Sequence, residues 1–190
     1  MENSSIIRCP WCLGDDAYIR YHDEEWGRPL YDEQKLFEFL ILDGAQAGLS
    51  WLTILKRRQG YRAAFSGMQP AQIARYGPAD IERLMGDQRI IRNRRKVESA
   101  IGNARAYCAM MEGPVGFSQW LWDWVDGKPL VNRFSRLEEI PAKTALSEGI
   151  SRELKKKGFS FVGPTIIYAF LQAAGLVNDH LLSCWRHPEA

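Results

Sequence analysis

The chain has 190 residues, of which 46% are hydrophobic and 25% charged. That is enough for one sizeable core, so a single domain spanning 1–190 is expected. Seven Trp, seven Tyr and eight Phe argue against a disordered chain, and a net charge of +2 says little about partners.

The opening Met-Glu-Asn-Ser-Ser leads into no apolar signal run. The apolar stretches Phe39 to Leu42 and Ile166 to Leu171 are too short to span a bilayer. A cytoplasmic, monomeric protein is expected, with Cys9, Cys12, Cys108 and Cys184 reduced.

In chain order, Asp32 is a candidate N-cap for a helix over Lys35 to Leu42. A second segment begins near Ser50 and carries Leu52, Ile54 and Leu55. Pro70 and Pro78 each open a short helix. Val97, Ile101, Ala104 and Cys108 recur every three or four residues and mark a long amphipathic helix. Phe117 to Val125 predicts a short aromatic helix, closed by the turn Asp126-Gly127-Lys128-Pro129. Leu146, Ile150 and Leu154 form another apolar stripe, and Thr165 to Gly175 predicts a central buried helix. A last short helix is expected to carry His180 and Cys184. No two-residue alternation competes, so an all-α fold of about eight to ten helices is predicted.

Basic residues cluster at Lys56-Arg57-Arg58, from Arg89 to Lys96, and at Lys155-Lys156-Lys157. They could form one nucleic-acid-facing surface, or they could be solvated helix ends.

Six candidate metal ligands sit near the termini: Cys9, Cys12, His22, His180, Cys184 and His187. Cys and His donors suit a four-coordinate structural zinc. On a helix His180 and Cys184 would share a face. Cys9-Pro-Trp-Cys12 also has the spacing of a redox pair, and unrelated buried cysteines with surface histidines remain a third possibility. The residues alone do not choose four ligands among six.

The run Leu154-Lys-Lys-Lys-Gly158-Phe-Ser-Phe-Val-Gly163-Pro-Thr165 ends a basic helix, turns, and starts an apolar one. Amides at the new helix start could hold a DNA phosphate without reading sequence. An ordinary helix connection with glycine at the cap fits the same pattern.

Several separated blocks agree with one family. They are Arg8-Cys9-Pro-Trp11, Tyr18-Ile-Arg-Tyr21-His22-Asp23-Glu-Glu-Trp26-Gly27 and Gly44-Ala-Gln46-Ala47-Gly48-Leu49-Ser50-Trp51. Further on come Ile91-Arg-Asn-Arg-Arg-Lys96, Gly158 to Thr165, and Gly175-Leu-Val-Asn178-Asp-His180-Leu-Leu-Ser-Cys184. Together they closely resemble the 3-methyladenine DNA glycosylase I family, from about residue 8 to about residue 186. The resemblance implies a helix-hairpin-helix glycosylase fold, with the hairpin near residues 150–175. It also implies a monofunctional enzyme that releases 3-methyladenine from duplex DNA and leaves an abasic site.

The resemblance selects Cys9, His22, His180 and Cys184 as ligands of a structural zinc, and gives Cys12 and His187 no role. It places Gln46 and Leu49 on a loop that probes the duplex, with Gly158, Gly163 and Thr165 at the DNA-binding hairpin. The resemblance also implies that Trp51 stacks on the flipped base and Tyr21 contacts its edge, and Trp11, Tyr18 and Trp26 are expected to complete aromatic walls. A base alkylated at N3 is cationic while still attached, and aromatic faces attract cations. The pocket acid is expected at Asp43, where the family generally has Glu. Related glycosylases carry a catalytic Asp where this chain has Asn178, and Asp179 is expected to point elsewhere on a helix. Glu38 is about 140° around a helix from Asp43 and is expected in solvent, as are Glu24 and Glu25.

The main alternative is a zinc-stabilised DNA-binding module with weak or no glycosylase activity, because the usual Glu is Asp43. A metal-dependent hydrolase is a third hypothesis, but four Cys and His ligands would leave it no open coordination position.

Overall fold

The computed structural model describes residues 6–189 and contains ten α-helices among them. Helix α1 (Asp16–Glu24) starts at Asp15, whose carboxylate accepts the amides of Ala17 and Tyr18. Helix α2 (Glu33–Gln46) starts at the expected N-cap Asp32, whose side chain accepts the Lys35 amide. Leu36 to Ala45 are all buried, so α2 is the central strut. Ser50 caps α3 (Trp51–Leu55) through the Thr53 amide. Then come α4 (Arg58–Ala64), α5 (Pro70–Ile73) and α6 (Pro78–Gly86). Asn93 caps the long α7 (Arg94–Met111), which is followed by α8 (Phe117–Trp122).

Helices α9 (Ala145–Lys156) and α10 (Pro164–Ala173) form the expected helix-hairpin-helix. Thr144 and Ser147 cap one another at the start of α9. At its end Gly158 adopts φ 90°, a left-handed conformation open to glycine. The Phe159 amide then reaches back to the Leu154 carbonyl and closes the helix. Helix α10 ends in the same way at Gly175, with φ 71°. A Cβ there would lie 2.2 Å from the Arg28 carbonyl, so the residue following α10 must be glycine for the Arg28–Pro29 backbone to pass. Helix α10 packs on both α9 and α2.

The chain departs from the all-helical expectation at two places. Strand β1 (Leu130–Val131) pairs in parallel with β2 (Val177–Asn178), in register Leu130 to Val177. Two residues per strand are too few to produce a period-two signal. The expected last helix is also absent. Beyond β2 the chain turns irregularly, and the Asn178 side chain accepts the His180 amide. His180 and Cys184 therefore meet through a looped backbone and not on one helix face.

Among the described residues the cysteines are free, and no helix is long and apolar enough to cross a membrane. The main core runs through α2, α7 and α10. A smaller cluster of Cys9, Leu181 and Cys184 sits beside it, and Trp11 and Ile140 pack against both.

Candidate functional site

Two sites emerge, and Trp11 lies between them. The first is a group of four buried side chains: Cys9, His22, His180 and Cys184. Their ligand atoms all lie within 4.8 Å of one another. Cys184 Sγ is 3.4 Å from His22 Nε2 and 3.6 Å from His180 Nδ1, and Cys9 Sγ is 3.7 Å from His180 Nδ1. Sulfur and nitrogen donors around a tetrahedral zinc stand about 3.5 Å apart, given bonds of about 2.3 and 2.0 Å. The donor set fits that geometry.

The surroundings suit a metal as well. His22 Nδ1 lies 2.7 Å from Asp23 Oδ1, and His180 Nε2 lies 3.1 Å from the Trp26 carbonyl. Such partners fix which ring nitrogen faces the metal. Burial opposes the Asp23 carboxylate, but hydrogen bonds from Arg8 and His22 hold it below its usual range. The amides of Leu181 and Arg186 point at the sulfurs of Cys9 and Cys184. The Cys184 thiol is pushed down, chiefly by its hydrogen bond with Cys9, then by His180 and His22. Cys9 is pushed up in turn.

Cys12 and His187 stand outside this group. Cys12 Sγ donates to the Cys9 carbonyl, and His187 Nε2 lies 3.0 Å from the Asn132 carbonyl. All three histidines are buried, which removes the surface-histidine possibility.

The second site is a cleft of about 210 Å³ lined by Trp11, Tyr18, Tyr21, Trp26, Asp43 and Gln46, with Trp51 and Gln172 completing it. Helix α1 supplies Tyr18 and Tyr21, the end of α2 supplies Asp43 and Gln46, and α3 supplies Trp51. Trp11 meets Tyr18 and Trp26 edge-on, with ring centroids 4.9 Å apart in each case. Tyr21 lies 5.4 Å from Trp51, which stacks on Phe39 from behind.

Two buried polar atoms of this cleft have no hydrogen-bond partner in the protein: Asp43 Oδ2 and Trp51 Nε1. A buried polar group left unpaired costs on the order of 1–3 kcal/mol, so both atoms are candidate contacts for a ligand. Burial alone pushes the Asp43 carboxyl well above its usual range. Tyr21 is also pushed up, first by burial and then by the charge of Asp43, so its hydroxyl stays a donor.

The structure thus brings Tyr21, Asp43 and Trp51 together with Trp11, Tyr18 and Trp26. Leu49 stands 40% exposed on the loop after α2, its amide bonded to the carbonyl of Gln46. Gly158 and Thr165 are exposed and Gly163 is half-buried; α10 begins without a side-chain cap, which leaves its first amides open.

Three expectations need correction. Glu38 is not in solvent: it is 7% exposed and pairs with Arg62, with N–O distances of 2.9 and 3.0 Å. It lines a separate charged cleft with Lys35, Arg28 and Phe39. Glu25 is half-buried and bound twice by Arg58, whereas Glu24 is exposed as expected. Asp179 lies beyond β2 and not on a helix; it is fully buried and accepts from Asn132, Tyr168 and Gln172 at 2.7, 2.5 and 2.7 Å. The basic clusters are likewise partly engaged. Lys56 pairs with Asp15, Arg94 with Glu82 and Lys156 with Glu153, whereas Arg92, Arg95, Lys155 and Lys157 are exposed.

Asp179 holds Gln172 against the cleft wall. Asp179→Ala would leave the buried Tyr168 hydroxyl and the half-buried Asn132 and Gln172 amides unmatched and is expected to lower stability by about 3 kcal/mol. Urea unfolding of the two proteins checks this.

A family model for methyladenine glycosylase matches residues 11–187. This chain belongs to that family. It is 49% identical over 181 residues to DNA-3-methyladenine glycosylase 1 of Escherichia coli strain K12, covering 95% of this chain and 97% of that protein. A crystal structure of 3-methyladenine DNA glycosylase I superposes with a TM-score of 0.94 at 48% identity, over 96% of this chain and 100% of that one. A variant of 3-methyladenine DNA glycosylase I solved in complex with 3-methyladenine superposes with a TM-score of 0.92 at 37% identity, over 95% and 97%.

Sequence reasoning missed Gln172, Ala169 and Ile140 in the cleft wall. Only Gln172 left a trace, as a polar residue at the end of the apolar run of α10.

Proposed function

We propose that the chain is a monofunctional DNA glycosylase that hydrolyses the glycosidic bond of 3-methyladenine in alkylated duplex DNA. The observation that carries this is the aromatic cleft with its two unpaired polar atoms, Asp43 Oδ2 and Trp51 Nε1. The ligand in the related solved complex is of the class such a cleft would take.

The target base is stacked inside the duplex and must be rotated out. Leu49 enters the gap as an apolar wedge, and Gln46 offers a donor and an acceptor to the bases left behind. The amides at the start of α10, with Gly158, Gly163 and Thr165, hold a backbone phosphate. The exposed Arg92, Arg95, Lys155 and Lys157 add sequence-independent attraction.

Within the cleft Trp51 stacks on the base, Trp11, Tyr18 and Trp26 wall it, and the Tyr21 hydroxyl meets its edge. Asp43 supplies the negative charge that favours a cationic alkylated base over a neutral one. When the cation enters, it favours ionisation of the carboxyl that burial otherwise holds neutral. The bond between the sugar and the glycosidic nitrogen then breaks, and its electron pair goes to the departing neutral base. Water adds to the sugar carbon and releases a proton, leaving an abasic site. N3 alkylation has already made the base a good leaving group, which suits a site with Asn178 where related enzymes place an Asp.

Cys9, His22, His180 and Cys184 would hold a structural zinc, which supplies cohesion between the two ends of the chain and no reaction chemistry. The chain would act as one glycosylase domain on duplex DNA, as a monomer in the cytoplasm.

Mass detection of the base released from methylated duplex DNA tests the assignment. Release of 3-methyladenine with intact strands is expected. DNA binding without base release would favour the alternative of a non-catalytic binding module.

A further inference from the structure

Helix α7 carries Lys96, Ser99 and Asn103 at intervals of three and four residues, which places them on one face. Lys96 Nζ donates to the carbonyls of Ala45 at 2.8 Å and Ala47 at 2.6 Å. These carbonyls flank Gln46 at the C-terminal end of α2, where helical partners run out and partial negative charge collects. Among the described residues no other side chain hydrogen-bonds the backbone of residues 45–49. Gly48, at φ 77°, lets the chain turn there towards Leu49.

Further along the same face, Ser99 Oγ and Asn103 Nδ2 donate to the Ser160 carbonyl at 3.3 and 2.9 Å. Asn103 Oδ1 accepts the Ser160 amide at 2.8 Å. Ser160 sits in the hairpin between α9 and α10. One helix face therefore grips both the loop after α2 and the hairpin. The hairpin also meets α2 directly: a Cβ at Gly44 would lie 3.4 Å from Phe161.

Lys96 belongs by sequence to the basic run from Arg89, yet it does not face outward. Its ammonium is turned inward on two carbonyls, and burial pushes its pKa down. Charge-assisted bonds of this kind are among the stronger ones available to a loop.

We propose that Lys96 is a positioning residue for base capture: its two bonds set where Gln46 and Leu49 enter the duplex relative to the hairpin. The inference rests on the proposed placement of that loop and hairpin on DNA.

Single-turnover base release by Lys96→Met, Lys96→Arg and the unsubstituted protein tests it. Sites are counted by binding of free 3-methyladenine, read from Trp fluorescence, so that only folded protein enters the rate. Lys96→Met is expected to release base from duplex DNA roughly 10- to 100-fold more slowly, because a displacement near 1 Å costs on that order. Free-base affinity, to which Gln46 contributes only part of the wall, should change far less than the rate; Lys96→Arg should recover most of the rate, and DNA affinity should keep its salt dependence. A phosphate contact would instead reduce the slope of log affinity against log salt by about 1. Unchanged release, a shallower salt slope, or a parallel loss of free-base affinity would each overturn the proposal.

Amide exchange in Lys96→Met gives an arm that needs no activity. The amides of Ala47 and Leu49, bonded to Gly44 and Gln46, should exchange faster while that of Ser160 does not. Unchanged exchange at Ala47 and Leu49 overturns the proposal even if the chain excises base. Absence of release by the unsubstituted protein counts against the glycosylase assignment alone.

Discussion

Asp43→Asn is expected to slow release of 3-methyladenine roughly 100-fold or more and, at the same time, to stabilise the folded protein at neutral pH. The two effects share one cause. Asp43 is 3% exposed, with Oδ2 unpaired, so burial favours its neutral form and holds its pKa well above the ordinary 3.8. In the unfolded chain the carboxyl ionises near pH 3.8. As pH rises above that value the unfolded state gives up a proton that the folded state keeps. Stability therefore falls through the window between 3.8 and the raised folded pKa. Asparagine has no such window. Its stability advantage should be absent below pH 3.8 and grow as pH rises. Urea melts across a pH series measure this, and single-turnover release measures the activity. Asp43→Glu keeps the charge and adds the family's usual reach, so its release should at least match that of the native protein. An Asp43→Asn protein with native release would remove Asp43 from the chemistry. A stability gain that does not change with pH would show that its burial is not what perturbs it.

The helices were largely legible because each carries its own local signal. Asp32 and Ser50 cap α2 and α3, Pro70 and Pro78 sit at first turns, and Gly158 and Gly175 close α9 and α10. What escaped depends on partners distant in sequence. Glu38 looks like a surface residue until Arg62 is brought to it from α4. Nothing local to Asp179 reveals that β2 pairs with a strand 47 residues earlier, the span from Asn132 to Asp179. The ligand set shows the same division. The sequence offered six donors, and it is the path of the chain that leaves Cys12 on a carbonyl of Cys9 and His187 on one of Asn132. Lys96 was read by its charge, yet its bonds are to carbonyls.

Cys184→Ala is expected to reduce bound zinc from roughly one equivalent per chain to none, and to lower stability by at least about 3 kcal/mol. In a chain of this size that corresponds to a fall in Tm of roughly 10 °C. The site joins parts of the chain distant in sequence: Cys9 precedes α1, His22 lies in it, and His180 and Cys184 follow β2 on an irregular segment. That last segment has no helix of its own and is otherwise tied by scattered bonds such as Leu182 to Phe134 and Trp185 to Ile7, so the ligands add to what fixes its course. The consequence should reach the base cleft through Trp11, whose ring lies 5.3 Å from His22 and 4.9 Å from Tyr18. Trp11 and Ile140 pack against both the main core and the cluster around Cys9 and Cys184, and both line the cleft. Loss of the metal should therefore weaken binding of free 3-methyladenine, although none of the four ligand residues is among those lining the cleft. Cys12→Ser and His187→Ala serve as controls and should keep their zinc. Elemental analysis of dialysed protein, thermal melts and Trp-monitored base binding make the comparison. A Cys184→Ala protein with full zinc content and unchanged Tm would overturn the metal assignment. Lost zinc with undiminished base binding would confine the metal to the chain ends and break its link to the cleft.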